Sequence, residues 1–242
     1  MINILHAVDL HELEERRGVQ KDALRLHMPI PPISFLTLDL FENDGGKIGK
    51  HALHYKDLTH TYNRNAYNML TTQHCFLQST YGEGYGAGKM GNTATDATVK
   101  STANYAHVVS IISNTSNAAA ADVTRGIVIG TGVGGENFEG YILGTKILHG
   151  ITAGKMSYQA MPAVVTSYNA VTKTLSNVLE RCFNNDSGGT ILVSEVGLYV
   201  YMTLSGSTNN AMLWRELLAE DYHVPTANIL RVRYQVDSVY PA

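Results

Sequence analysis

The sequence is poor in charge and has no excess of positive charge. Only 16% of its 242 residues are charged, whereas about a quarter is typical of soluble proteins. The formal net charge is −3. A chain with this balance has no broad basic surface for nucleic acid or anionic lipid. We therefore expect neither direct nucleic-acid binding nor membrane binding.

Cysteines and long apolar runs are also scarce. Cys75 and Cys182 lie far apart and form no CxxC pair, which argues against structural zinc. No apolar run approaches the roughly 18 residues of a transmembrane helix. The first twenty residues lack the charged and apolar regions of a secretion signal. These features favour assembly with free thiols in a reducing cytoplasm.

One glycine-rich stretch stands out, "GIVIGTGVGG" at residues 126–135. A strand that leads into glycines is a common phosphate-binding arrangement. The spacing here is GxGxGG rather than the dinucleotide-binding GxGxxG, no helical period follows, and the Walker sequence is absent. We favour a wide turn with glycines at positive φ, and phosphate binding is the alternative.

Patterns typical of strands dominate the second half of the chain. In 229–237, apolar residues alternate with Arg231, Arg233 and other polar residues, as in a half-buried antiparallel strand. The other predicted strands are 34–41, 105–113, 122–131 and 190–202, with weaker candidates at 141–150 and 155–167. Residues 171–183 also fit a helical stripe, but their Thr, Ser, Asn and Val are poor helix formers, so we favour a strand there. Residues 211–218 are predicted to form a further strand with an arginine. Turns are predicted at 42–47 and 184–189, and helices within 1–28 and at about 62–77.

These patterns predict a mainly β protein, α+β overall. Residues 1–80 form a smaller N-terminal region with helix and strand. A Gly/Thr-rich loop or linker follows at 81–103. Residues 104–242 form an antiparallel β domain, either a sandwich or a barrel, since short strands recur at roughly ten-residue spacing.

Few residues in the sequence are candidates for catalysis or metal binding. His51, His54 and His60 lie close in sequence, but without the HExxH pattern we interpret them as exposed polar histidines and predict no metal site. Glu195 stands in an apolar strand, where pairing with a cation such as Arg215 or ordering of a neighbouring turn is the favoured interpretation. No set of residues assembles into a catalytic constellation, so we expect no enzyme and no cofactor.

Two short segments resemble loops of sugar kinases. "GTGVGG" is similar to the second phosphate loop of the actin-like kinases of the ROK family, and "NDGGK" (43–47) resembles their earlier Asp-Gly-Gly loop. That resemblance implies a phosphate- or nucleotide-binding enzyme. The aspartate base motif and the His/Cys zinc motif of the family are absent.

A broader resemblance covers the C-terminal third. The segments "FNNDSGG", "ILVSEVGLYVY", "MLWRELL" and "VPTANILRVRYQV" resemble those of tail-fibre and tail-collar proteins of tailed bacteriophages and prophages. "HTYNRNAYNML" (60–70) and 126–160 have a similar character. This resemblance implies a non-enzymatic virion subunit of the tail, fibre attachment or baseplate, with head decoration or head–tail joining as the alternative. Its partners would be copies of itself and other virion proteins, and it would be assembled in the host cytoplasm.

The outward faces of the C-terminal strands are the predicted subunit interface. Tyrosine and arginine are enriched at interfaces, where lysine is depleted. We therefore predict that Tyr199, Tyr201, Arg231 and Arg233 contact another subunit in a symmetric homo-oligomer, a trimer or a higher ring, or in an oligomer that forms only on the particle.

Overall fold

The computed structural model describes residues 3–26, 32–45, 47–59, 89–91, 96–98, 116–135, 142–204 and 207–239. Within these ranges the chain is mainly β, as the sequence predicted, with one helix, α1, at Leu10–Arg25. The strands are β1 (Asn3–His6), β2 (Ile33–Asp44), β3 (Lys47–Leu58), β4 (Lys89–Gly91), β5 (Asp96–Thr98), β6 (Gly126–Gly130), β7 (Ser157–Tyr158), β8 (Val165–Asn169), β9 (Thr174–Asn185), β10 (Ile191–Leu204), β11 (Ser207–Val224) and β12 (Asn228–Val239).

The strands form three sheets. The largest has seven strands in the order β1-β3-β2-β12-β9-β7, and β8 also pairs with β9. Apart from the parallel pair of β1 and β3, its strands are antiparallel. A three-stranded sheet has the order β11-β10-β6, and β4 pairs with β5. The long strands β2, β12 and β9 at the centre of the large sheet position the residues discussed below.

The two larger sheets share one hydrophobic core. Its buried residues come from both sheets, for example Leu38 and Val232 from the first and Val196 from the second. The Tyr222 hydroxyl donates to the carbonyl of Leu53 across the core at 3.1 Å. The opposite side of the large sheet carries several charged side chains, among them Asp39, Arg231 and Arg233.

Helix α1 packs at one end of that opposite side. Asp9 caps the helix by accepting hydrogen bonds from the N–H groups of His11 and Glu12. Leu13 and Val8 pack against a small buried cluster of Ile33, Phe35 and Leu58. In the described part of the chain, no helix has the length and apolarity needed to cross a bilayer.

A buried arginine connects the irregular segment 116–125 to the sheets through hydrogen bonds. The Arg181 side chain is fully buried, and its guanidinium donates to the carbonyls of Ala119, Ile127 and Gln159. It also lies over the Tyr158 ring at 4.8 Å. Burial lowers the pKa of Arg181 to about 10, so the group stays charged at neutral pH.

Most strand predictions are confirmed, with shifted bounds, and β6 is shorter than predicted. The predicted strands 34–41, 122–131, 171–183, 190–202, 211–218 and 229–237 correspond to β2, β6, β9, β10, β11 and β12. The candidate at 141–150 is wrong over residues 142–150, because only Lys146 and His149 form isolated bridges there. The candidate at 155–167 is interrupted, because residues 159–164 between β7 and β8 have no regular secondary structure.

The N-terminal and C-terminal regions predicted from the sequence share one hydrophobic core. Leu38 and Tyr55 of the N-terminal region belong to the same buried cluster as Val232 of the C-terminal region, and β2 pairs directly with β12. Inside the predicted loop 81–103, β4 and β5 form a short antiparallel pair. The rest of that loop, the predicted helix at 62–77 and the predicted strand at 105–113 lie outside the described residues.

Candidate functional site

The glycine-rich loop and the segment 144–145 together bind the carboxylate of Glu195. This side chain is fully buried on β10. The backbone N–H of Gly132 donates to Oε1 at 2.9 Å, and that of Thr145 donates to the same oxygen at 2.8 Å. The N–H of Gly144 donates to Oε2 at 3.1 Å. The anion held by this loop is therefore part of the protein itself.

Arg215 completes the site, as predicted for Glu195. The Nε of Arg215 lies 2.7 Å from Glu195 Oε2, and both side chains are largely buried. The two terminal nitrogens donate to the carbonyls of Gly134 and Gly135 at 3.0 and 3.2 Å. The arginine thus links the carboxylate to the end of the loop, and the site is closed by groups of the same subunit.

Gly130 and Gly132 are required for close approach, not for positive φ. The positive-φ glycines of the described chain include none of Gly130, Gly132, Gly134 and Gly135, so that prediction is wrong. A Cβ on Gly130 would lie 2.6 Å from Glu195 Oε1, and one on Gly132 would also collide with this carboxylate. Glycine is needed here because the backbone passes directly over a buried side chain.

The segments that resemble kinase phosphate loops are otherwise engaged. The N–H of Gly132 is bound to Glu195. In the "NDGGK" segment, Asp44 pairs with Lys47, and Gly45, at φ 61°, forms part of the turn between β2 and β3. The first segment therefore donates an N–H to an internal carboxylate, and the second is the end of a β-hairpin.

A second buried carboxylate, Asp39, lies on the large sheet, whereas Glu195 lies on the three-stranded sheet. It is 1% exposed and sits on the side of β2 that faces away from the core. Its Oδ2 accepts from the guanidinium groups of Arg231 and Arg233 on β12 at 2.9 and 2.7 Å. Its Oδ1 lies 2.7 Å from His54 Nδ1 and 3.0 Å from His51 Nε2 on β3.

These side chains belong to a polar surface that we call the outer face. It is formed by His51, His54, Lys56, Asp39, Glu180, Arg231 and Arg233, which occupy neighbouring positions on β3, β2, β12 and β9. Arg231 Nε lies 3.8 Å from a Glu180 carboxylate oxygen. Lysine and arginine supply three fixed positive charges here, against two carboxylates, on a chain of net charge −3.

Aromatic rings support the cations of the outer face. The Arg231 guanidinium lies 4.6 Å from the Phe41 ring centre, and His51 stacks on the same ring at 4.7 Å. The Lys56 ammonium lies 4.7 Å from the centre of Phe35. Cation–π contacts of this kind stabilise one arrangement of long side chains.

The electrostatics favour an ionised Asp39. Burial by itself would raise the pKa of this carboxyl group. The hydrogen bonds from Arg231 and His54, together with the charges of Arg233 and Arg231, outweigh burial and hold the pKa below its ordinary value. Asp39 is therefore a permanent negative centre that orders the four cationic or imidazole side chains around it.

The predicted interface residues are divided by the structure. Arg231 and Arg233 lie together on the outer face, with 23% and 34% of their side chains exposed. Tyr199 is fully buried, so its expected position on an outward face is wrong. Segment 143–146 covers that side of β10, where the Leu143 N–H donates to the Tyr199 hydroxyl at 2.8 Å. The side chain of Tyr201 is outside the described part.

Sequence reasoning missed the role of the histidines. His51 and His54 are half-buried and bound to Asp39, not simply exposed, while His60 lies outside the described residues. The ligand atoms of Asp39, His51 and His54 all lie within 4.8 Å of one another, as a metal site requires. Asp39 is fifteen residues from His54, so no local motif signalled this arrangement.

Comparisons with known proteins identify no relative. Neither family models, curated proteins nor solved structures match the chain.

Proposed function

We propose that the protein is a non-enzymatic structural subunit of a tailed phage particle, in the tail, fibre attachment or baseplate, and that it acts by assembling with copies of itself and other virion proteins. The observation that carries this proposal is the outer face, where Arg231 and Arg233 are held half-exposed around a buried aspartate. The resemblance of the C-terminal strands to phage tail proteins supports the assignment of this surface to a phage particle.

The order of the outer face supports a role in assembly. Arginine is frequent among the residues that dominate binding energy at interfaces. Immobilising a long side chain on binding costs about 0.5–1.5 kcal/mol. Because Asp39 and Phe41 already hold Arg231 in the free subunit, part of the free-energy cost of immobilising this side chain arises on folding rather than on binding.

The closed Glu195 site favours this proposal over the sugar-kinase alternative. A nucleotide at the loop would need its backbone N–H groups, but Gly132 donates to Glu195 and Arg215 lies between the carboxylate and the loop carbonyls. The glycine loop therefore supports a structural role, and no second function is proposed.

A charge reversal at Lys56 tests assembly through the outer face. Lys56 faces Phe35 and is not among the partners of Asp39, so Lys56→Glu should preserve the fold. We expect it to weaken oligomer or particle formation at least about tenfold, since misplaced charge at an interface costs several kcal/mol. Light scattering after size exclusion measures the oligomer, and incorporation into purified particles measures assembly.

Lys173→Glu is the matched control, because it makes the same charge change at the exposed turn between β8 and β9. It should assemble like the parent chain. Arg233→Glu is a poorer test, since it would place a carboxylate beside buried Asp39 and disturb folding. A parent chain that never enters particles, or a Lys56→Glu variant that assembles normally, would contradict the proposal.

A further inference from the structure

A β-bulge in β3 directs two imidazoles to one carboxylate. His51 and His54 are three residues apart, and in a regular strand such residues point to opposite faces. The register shifts here, because Leu40 pairs with Leu53 while Phe41 pairs with His51. Ala52 is the extra residue, and both Ala52 and Leu53 pack against the core. Bulges of this kind redirect side chains and are frequent near functional sites.

We propose that Asp39, His51 and His54 form a binding site for a divalent transition-metal ion of the zinc type. Two imidazole nitrogens and one carboxylate oxygen suit such ions, whereas magnesium and calcium prefer oxygen ligands. This inference does not rest on the proposed role in a phage particle.

The distances allow an ion with small adjustments. Tetrahedral zinc with bonds of about 2.0–2.1 Å places its ligand atoms roughly 3.3 Å apart. Asp39 Oδ1 is 2.7 Å from His54 Nδ1 and 3.0 Å from His51 Nε2, and all three ligand atoms lie within 4.8 Å. The ion would take the place of the hydrogen bonds that these nitrogens now make, His51 Nε2 with the Leu53 carbonyl at 3.1 Å and His54 Nδ1 with Asp39. Water would complete its coordination, since both histidine side chains are partly exposed.

The two arginines are compatible with a cation here. Arg231 and Arg233 both bind Oδ2 of Asp39, and the imidazoles face Oδ1. The carboxylate therefore offers one oxygen to the arginines and the other to the ion. Carboxylates that bind metals are commonly held by such outer hydrogen bonds. The Glu180 carboxylate, 3.8 Å from Arg231 Nε, offsets part of the positive charge.

Zinc titration of the full-length chain tests the site. The protein carries no histidine tag and is first treated with a chelator. Calorimetry measures Zn²⁺ binding, and the visible absorption of Co²⁺ reports the ligand geometry. We expect one ion per chain. His51→Gln and His54→Gln should each lower the affinity at least about 100-fold, because loss of even an outer-shell partner costs roughly 10–100-fold.

Glutamine can still donate a hydrogen bond to Asp39, so these variants should fold, and circular dichroism with thermal unfolding checks this. His11→Gln removes an imidazole that is 81% exposed on α1 and should bind zinc like the parent. If the parent binds no Zn²⁺, or if both site variants bind as tightly as the parent, the cluster is only a hydrogen-bonded network and the proposal is overturned.

Discussion

The two buried carboxylates, Glu195 and Asp39, are satisfied in different ways. Glu195 receives three backbone N–H groups and one arginine that is itself 10% exposed. Asp39 receives only side chains, two arginines and two histidines that are 23–34% exposed. Backbone donors are fixed by the fold, whereas half-exposed side chains can change partners. The conspicuous glycine motif therefore has a structural role, and the inconspicuous histidines lie where ligands can reach them.

The largest effect is expected from Glu195→Gln. This change keeps the size of the side chain but removes the charge that pairs with Arg215. Breaking a buried ion pair typically costs about 3–5 kcal/mol, and urea denaturation measures the loss of unfolding free energy. Glu220→Gln, at an exposed position of β11, is the control and should change stability by less than about 0.5 kcal/mol. A loss below about 1 kcal/mol for Glu195→Gln would contradict the claim that the Glu195 site is a fixed structural element.

A smaller loss is expected from Gly132→Ala. The new Cβ would collide with the Glu195 carboxylate, so the loop must move away from its anion. Overpacking of this kind costs about 1–3 kcal/mol. Gly134→Ala is the matched control, because no atom lies within 4 Å of a Cβ at that position. Equal thermal shifts for the two variants would show that close approach to Glu195 is not what requires glycine.

Asp39→Asn should have the smallest effect of the three. The amide cannot hold both arginines as a carboxylate does, but Arg231, Arg233 and the histidines can all turn toward water. We expect a loss of about 1–2 kcal/mol, in the lower part of the range for a buried group that loses its partners. Urea denaturation under the conditions used for Glu195→Gln gives the direct contrast. A loss as large as that of Glu195→Gln would remove the distinction between the two sites.

The sequence predicted what depends on local periodicity. The alternation in β12 placed Arg231 and Arg233 correctly outside the core, and a glutamate in an apolar strand correctly implied a cation such as Arg215. It did not predict what depends on distant segments. Gly132 and Glu195 are 63 residues apart, and Tyr199 is buried because segment 143–146 covers it. The bulge at Ala52 is a local feature, yet it places the His51 side chain on the face of the sheet opposite to the one that strand periodicity predicts.

The most direct test monitors the Glu195 site and the Asp39 site in one sample. Backbone amide NMR spectra of the ¹⁵N-labelled chain are recorded as Zn²⁺ and then ATP are added. We predict that Zn²⁺ shifts the amides near Asp39, His51 and His54, while those of Gly132, Gly144 and Thr145 respond to neither addition. Shifts of the Gly132, Gly144 and Thr145 amides with ATP, combined with no response at the histidines to Zn²⁺, would contradict the account.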